Sequence, residues 1–338
     1  IEKIIRKSLL PQYSEFNEGR YFEAAPFQSA QRIIEFNNLR AGVIICEENW
    51  NAAEFFKKPL YAFDPVQILI DEQKPDFLIN LSASPTRTKK EQLLNNMLSH
   101  CSKKHCVPLL YVNQTGSTDS VTFCGTSRVY DKNGNVIARA KSFEEDFFVV
   151  TPYKSEINRI EPLVSGLEKT LNSQKEFSLD YEPDLERTFL TITSAIKDYF
   201  EKNGFKHAVL GLSGGLDSSC CAALLAFALG AQNVTGVSMP SKITSEQSKS
   251  DAKKLADNLG INFFEIPIKD MTDAANLTFN NIFSQINSVW GDFRYSAPLT
   301  FDNIQARSRA MILWGISNEF GSTLPIATSD KSELYMGY

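Results

Sequence analysis

Residues 208–219 read AVLGLSGGLDSS. The apolar run AVLGL (208–212) suits a strand buried on both faces, and an alanine- and leucine-rich stretch to Leu229 suits a helix. The loop between them is neither the GxxxxGK[ST] phosphate loop nor the GxGxxG dinucleotide turn. Its physics is related. Gly214 and Gly215 let the backbone turn and approach a ligand, while Ser213, Ser218 and Ser219 add hydroxyls. The helix behind them presents free N–H groups and the positive end of its dipole to an anion. Asp217 would repel bare phosphate, but it suits a divalent cation that bridges carboxylate and phosphate. A glycine turn with serine and aspartate capping a helix uses the same residues. At the level of the loop both readings stand.

Outward from the loop, the pattern repeats. A helix over Phe189–Phe200 precedes it, and NVTGVSM (233–239), a helix over Gln247–Leu259 and NFFEIPI (262–268) follow. Strands alternating with helices predict a doubly wound parallel sheet. Further upstream, AGVIIC (41–46), DFLINLSAS (76–84) and VPLLYVNQ (107–114) read as buried strands, with a helix over 89–105 between the last two. TSRVYDKNGNVIARA (126–140) reads as two strands around Asn133-Gly134, a strong hairpin signal. Between Thr151 and Glu186 the residues turn polar and the periodicity weakens. The expected organisation is an α/β domain over 1–155, a linker over 156–186 and a second α/β domain over 187–338.

Composition limits the function. The chain has 338 residues, 43% hydrophobic and 22% charged, which suits about two globular domains. Thirty-five basic residues against forty acidic ones leave a net charge of −5, a poor balance for neutralising nucleic-acid phosphates. No apolar run reaches the roughly 18 residues of a membrane span, and the first thirty residues contain no secretory core. The six cysteines show neither disulfide-framework nor zinc spacing, so they read as reduced thiols of a cytosolic enzyme. With only three histidines, chemistry must lean on Lys, Cys, Asp and Glu.

The loop resembles the SGGxDS pyrophosphatase-type loop of enzymes that split ATP into AMP and pyrophosphate. Two further stretches, MPSKITSEQSKSDAKKLADNLGI (239–261) and FDNIQARSRAMILWGISNEFGSTLPIATSDKSELYMGY (301–338), resemble segments of the NAD synthetases. That resemblance implies an adenine nucleotide alpha hydrolase-like sheet. It also implies ATP contacts at Gly211, Leu212, Ser213, Gly214, Gly215, Leu216, Asp217, Ser218 and Thr328. Asp217 and Glu333 would hold Mg2+, and Asn303, Arg307 and Glu333 would meet deamido-NAD. Asn303 and Arg307, four apart, share a helix face, as a solvated face would also require. Thr328 and Glu333 equally suit a helix N-terminus with an acidic first turn.

A second signal lies upstream. AGVIICEENW (41–50) places Cys46 at a strand end, and RKSLLPQYSEFNEGRYF (6–22) contains Lys7. A thiol is mostly protonated at neutral pH, and a nearby ammonium stabilises both the thiolate and a later oxyanion. Taken alone, a cysteine at such a place is more often an inert buried thiol than a nucleophile. The two segments resemble the nitrilase superfamily, specifically the αββα glutamine-hydrolysing domain fused to some NAD synthetases. That family uses a Glu-Lys-Cys triad. The resemblance assigns Lys7 and Cys46 to it and Glu18 to a supporting role, with Tyr13, Ser84 (in NLSASP, 80–85) and Lys90 as glutamine contacts.

The chain departs from the family pattern in three places. The triad glutamate should precede the lysine, yet only Glu2 does, so the base is expected upstream of Ile1 and only the C-terminal part of the nitrilase-like domain here. Further nucleotide-binding residues are expected after the Gly-Tyr at 337–338. Cys124 in TFCGTS (122–127) stands where relatives usually carry aspartate. The resulting expectation is ATP-dependent amidation of deamido-NAD with ammonia from glutamine, in a homo-oligomer. Its rivals are another ATP-pyrophosphatase-type amidotransferase and a synthetase whose nitrilase-like domain is only a scaffold.

Overall fold

The computed structural model describes residues 3–13, 16–51, 59–87, 89–118, 120–153, 156–161, 184–291 and 299–336. Glu2 and the Gly-Tyr at 337–338 lie outside them. The chain divides into two compact units, Ile1–Thr191 and Ile192–Tyr338.

In the first unit, strands β1 (Ile33–Phe36), β2 (Leu39–Ile45), β3 (Phe77–Ser82) and β4 (Leu109–Asn113) begin a six-stranded sheet. After the separate hairpin β5 (Thr115–Thr118) and β6 (Val121–Cys124), β7 (Arg128–Tyr130) and β8 (Val136–Arg139) complete it, in the order β1-β2-β3-β4-β7-β8. The three central strands are parallel and the outer pairings antiparallel. Parallel neighbours need crossovers. Helices α1 (Pro65–Gln73) and α2 (Lys90–His105) provide them.

Local chemistry explains both helices. The Asp64 carboxylate accepts hydrogen bonds from the Val66 and Gln67 N–H groups, with Pro65 at the first helical position. In α2 the residues Leu94, Met97, Leu98 and Cys101 recur at helical spacing and bury against Ile44, Leu78, Leu109 and Tyr130. Each such side chain contributes about 1.5–3 kcal/mol. The Asn-Gly hairpin forms, but its connection spans 131–135 rather than two residues. Its organiser is Asp131, whose carboxylate accepts from the N–H groups of Asn133 and Asn135 at 2.9 and 2.8 Å.

Strand β9 (Val149–Tyr153) pairs antiparallel with β10 (Glu156–Glu161), which falls in the span read as linker; residues 162–183 lie outside the described ones. Helix α3 (Asp184–Asn203) begins five residues before the expected Phe189, because its first turn is polar and lacks the apolar period.

The second unit carries the predicted parallel sheet. Its strands are β11 (His207–Gly211), β12 (Val234–Ser238), β13 (Asn262–Glu265) and β14 (Thr323–Ile326), in the order β13-β12-β11-β14. Alternation along β11 feeds two cores. Ala208 and Leu210 pack with Ala222, Leu225, Ala252 and Ala256 of helices α4 (Leu216–Leu229) and α5 (Glu246–Leu259). Val209 packs on the other side with Ile268, which precedes α6 (Lys269–Trp290), and with Ile312 and Leu313 of α7 (Leu299–Glu319). The sequence reading missed β14, a four-residue strand containing Pro325; it ends the sheet, where proline is tolerated. Its place matters. Winding runs outward from β11 through β12 to β13, then resumes on the other side of β11. Ligands of open α/β sheets bind outside the strand ends where this order reverses. Among the described residues no helix is long and apolar enough to cross a membrane.

Candidate active sites

Strand β2 delivers Cys46 at φ +42°, a left-handed conformation unusual for a side chain that bears a Cβ, at the head of a 3-10 turn over Cys46–Asn49. The turn lifts the half-buried thiol onto the wall of a cavity of about 320 Å3. Lys7, Tyr13, Glu18, Ser84 and Lys90 line the same cavity, so all six residues expected there converge. The Lys7 Nζ donates to Glu18 Oε2 at 2.7 Å. Burial pushes the Cys46 thiol up; the Lys7 ammonium, the Ala83 backbone and the Ser82 hydroxyl offset part of that, and Glu47 adds to the rise.

Lys90 donates to the Pro85 carbonyl at 3.1 Å and lies 5.5 Å from the Trp50 ring centroid. Ser84 is fixed through its backbone. Its N–H donates to Asn113 Oδ1 at 2.9 Å, and Asn113 Nδ2 donates to the carbonyls of Ser84 and Gly125.

The residues that shape this site were not assigned from sequence. Glu47 accepts from the Tyr13 hydroxyl at 2.9 Å and from the Tyr61 hydroxyl at 2.7 Å. Glu48 accepts from Arg32 through two guanidinium nitrogens at 2.7 Å, from the Ser8 N–H at 2.8 Å and from the Ile45 N–H at 2.7 Å. This buried ion pair, 3% and 0% exposed in its side chains, ties the segment carrying Lys7 to the end of the strand carrying Cys46. The available signal was two consecutive glutamates after a buried strand. Cys124 lies elsewhere: it is buried, its Sγ donates to Glu91 Oε1 at 3.5 Å, and Glu91 also receives Arg128.

In the second unit, the loop after β11 and the chain after β14 flank the reversal in strand order. Gly211, Leu212, Ser213, Thr328 and Glu333 line a cavity of about 630 Å3 there. Gly214 adopts φ +82°, and a Cβ on it would collide with the Ser248 carbonyl oxygen. The serines organise the loop. Ser213 Oγ lies 3.1 Å from Ser218 Oγ and accepts from the Gly215 N–H at 3.2 Å, while Ser219 Oγ donates to the Gly215 carbonyl at 2.7 Å. No side chain caps α4 at Gly215, and Asp217 is exposed in the first turn. Gly215 has no side chain to cap with, and Asp217 stands in the first turn at the positive end of the helix dipole, which both the helix-terminus and the metal readings require.

Other residues behave differently. Gly214, Gly215, Leu216, Asp217 and Ser218 do not line the cavity; Leu216 is exposed and Ser218 buried. Asn303 and Arg307 are exposed on α7, whose Ala306 and Arg309 reach the cavity instead. The Arg309 Nε donates to the Met239 carbonyl at 3.2 Å, and burial holds its guanidinium below the ordinary value. Glu333 also serves a helix start, α8 (Lys331–Met336): its N–H donates to Asp330 Oδ1 at 2.7 Å, and its Oε2 accepts from the Asp330 N–H at 3.2 Å. Among the described residues no group of three or more His, Cys, Asp and Glu could hold a metal ion. Of the two carboxylates expected to hold Mg2+, Glu333 lines the cavity and Asp217 lies outside its lining, exposed on the first turn of α4; a magnesium ion that keeps several waters needs only one or two protein carboxylates.

Residues 1–152 match the carbon-nitrogen hydrolase family and residues 189–338 match the NAD synthase family. The chain is 37% identical over 338 residues to the glutamine-dependent NAD(+) synthetase of Synechocystis sp., covering 100% of this chain and 56% of that protein. It is 35% identical over 355 residues to that of Thermotoga maritima, covering 99% and 57%. Among solved structures, the glutamine-dependent NAD+ synthetase from Acinetobacter baumannii, in complex with ADP, superposes with a TM-score of 0.77 at 30% identity, covering 98% of this chain and 56% of that one. Fold and sites thus define a carbon-nitrogen hydrolase unit followed by an NAD synthase unit. Over its whole length the chain is similar to the glutamine-dependent NAD(+) synthetases, and it spans about half the length of the curated relatives it matches.

Proposed function

We propose that this chain carries the thiol site and part of the nucleotide site of an enzyme that makes NAD from deamido-NAD, using ATP and ammonia released from glutamine. The observation that carries this reading is the convergence of Lys7, Tyr13, Glu18, Cys46, Ser84 and Lys90 on one cavity. Cys46 gives up its proton, and its sulfur attacks the glutamine carboxamide carbon. Lys7, steadied by Glu18, stabilises the oxyanion that forms. The C–N bond breaks, ammonia leaves, and water cleaves the glutamyl thioester. The proton shuttle is assigned to a glutamate upstream of Lys7. Tyr13, Ser84 and Lys90 bind the rest of the glutamine.

In the second unit, Gly211–Ser218 and Thr328 bind ATP. The nicotinate carboxylate attacks the α-phosphorus, pyrophosphate leaves, and ammonia then displaces AMP to form the amide. Asp217 and Glu333 would hold Mg2+, whose charge offsets that of the phosphates. Asn303, Arg307 and Glu333 are assigned to deamido-NAD in a homo-oligomer; the exposure of the first two on α7 supports a site completed by a second copy. We place the enzyme in the cytoplasm, a reading supported by six free thiols.

The test is NAD and AMP formation from deamido-NAD and ATP by the intact polypeptide, with glutamine or ammonium as nitrogen donor. Both donors should support it. Activity with neither would overturn the reading.

A further inference from the structure

Glu47 stands one residue from the nucleophile and lines its cavity. An anion there works against a thiolate, and the reaction proposed above needs the thiolate. Both carboxylate oxygens of Glu47 are nevertheless occupied. Oε2 accepts from Tyr13 at 2.9 Å, and Oε1 accepts from Tyr61 at 2.7 Å. Tyr61 is itself held with care. Asn51, five residues beyond Cys46 and buried, accepts from the Tyr61 N–H at 3.0 Å, and its amide donates to the carbonyls of Tyr61 and Phe63 at 3.1 and 2.6 Å. The Tyr61 hydroxyl also reaches the Leu10 carbonyl at 3.5 Å, in the segment that bears Lys7 and Tyr13. Burial and the Glu47 carboxylate both push the two phenols well above their ordinary value, so they remain neutral donors at any working pH.

We propose that Tyr61 is a positioning residue of the thiol site, whose hydroxyl holds Glu47 turned away from Cys46 and disperses its charge. The ammonium of Lys7 then dominates the field at the sulfur. The other groups facing this site are Glu18, which pairs with Lys7, the phenols of Tyr13 and Tyr111, the ammonium of Lys90 and the Arg87 guanidinium, which acts on Tyr13. Asn51 grips the backbone of Tyr61 and not its ring, so Tyr61→Phe keeps that anchor and removes only the bonds of the hydroxyl. The inference rests on Cys46 being the nucleophile, but its test requires no turnover.

The experiment is the pH dependence of iodoacetamide alkylation at Cys46 in the intact polypeptide, followed peptide by peptide so that the other five cysteines do not interfere. In Tyr61→Phe the midpoint should rise, and at neutral pH the rate should fall by about threefold, about half a pH unit. In a Glu47→Gln background, adding Tyr61→Phe should change nothing, because the carboxylate that Tyr61 restrains is gone. A profile unmoved by Tyr61→Phe overturns the proposal, as does a shift that persists in the Glu47→Gln background. If the wild type fails to hydrolyse glutamine while this pattern appears, the proposed function fails and the positioning role stands.

Discussion

Glu48 illustrates how a single residue organises a site it does not enter. Its carboxylate receives the Arg32 guanidinium and the N–H groups of Ser8 and Ile45, next to Lys7 and Cys46 respectively. Removing one partner of such a buried pair leaves the other charge without compensation, which costs about 3–5 kcal/mol. Arg32→Met should therefore destabilise the first unit by that amount in denaturant unfolding; a change below about 1 kcal/mol would mean the pair is not a keystone. None of this was legible beforehand. Arg32 and Glu48 sit 16 residues apart with no periodic relation, and only the fold brings them together. Cys46 and Lys7 were assigned only through the resemblance to the nitrilase superfamily, because a thiol at a buried strand end is by itself more often inert and Lys7 lies far from it in sequence. Asp217 lies between these cases: sequence alone left it as a cap or a metal ligand, and α4 has no side-chain cap. Asp217→Asn separates the two in solution. Asparagine caps about as well, yet without the charge, AMP release with ammonium supplied should fall by more than about a hundredfold. Near-normal release from a folded variant would remove Asp217 from the metal site.

At the scale of elements, the loop after β11 is a preformed cradle whose shape depends on Gly214. Alanine there meets the Ser248 backbone at the start of α5 and must also adopt a strained φ. Gly214→Ala should weaken ATP binding at least tenfold in calorimetry while far-UV circular dichroism is retained. Unchanged affinity would place the nucleotide away from this loop. The strand-loop-helix over 208–229 was legible because the apolar run is continuous and the glycines punctuate it. The short strands were not: β14 has four residues and a proline, and β1 carries one buried residue. Helix α6 was missed although its sequence carries an apolar stripe, Met271, Ala275, Phe279, Ile282, Ile286 and Val289, at helical spacing. Of its 22 residues only Thr272 is buried, so that stripe packs into no core of this unit among the described residues.

For the whole molecule, two chemistries on one chain are the central claim. The first unit brings a thiol and a lysine to one cavity, and the second carries the glycine- and serine-rich loop, with Cys220 and Cys221 as its thiols. In the sequence two α/β series lie on either side of 151–186, and the structure divides into two compact units at Thr191 and Ile192. Strand β10 inside that span was not legible, because a short strand in polar sequence resembles a linker. If the units divide the work as proposed, the thiol serves only the release of ammonia, and the synthetase site accepts ammonia from any source. Cys46→Ala in the intact polypeptide tests this directly, with NAD formation from deamido-NAD and ATP measured beside the wild type. NAD formation with glutamine should vanish, while the rate with saturating ammonium stays within about twofold of the wild type. Equal loss with both donors in a folded protein, or full activity with glutamine, would contradict it.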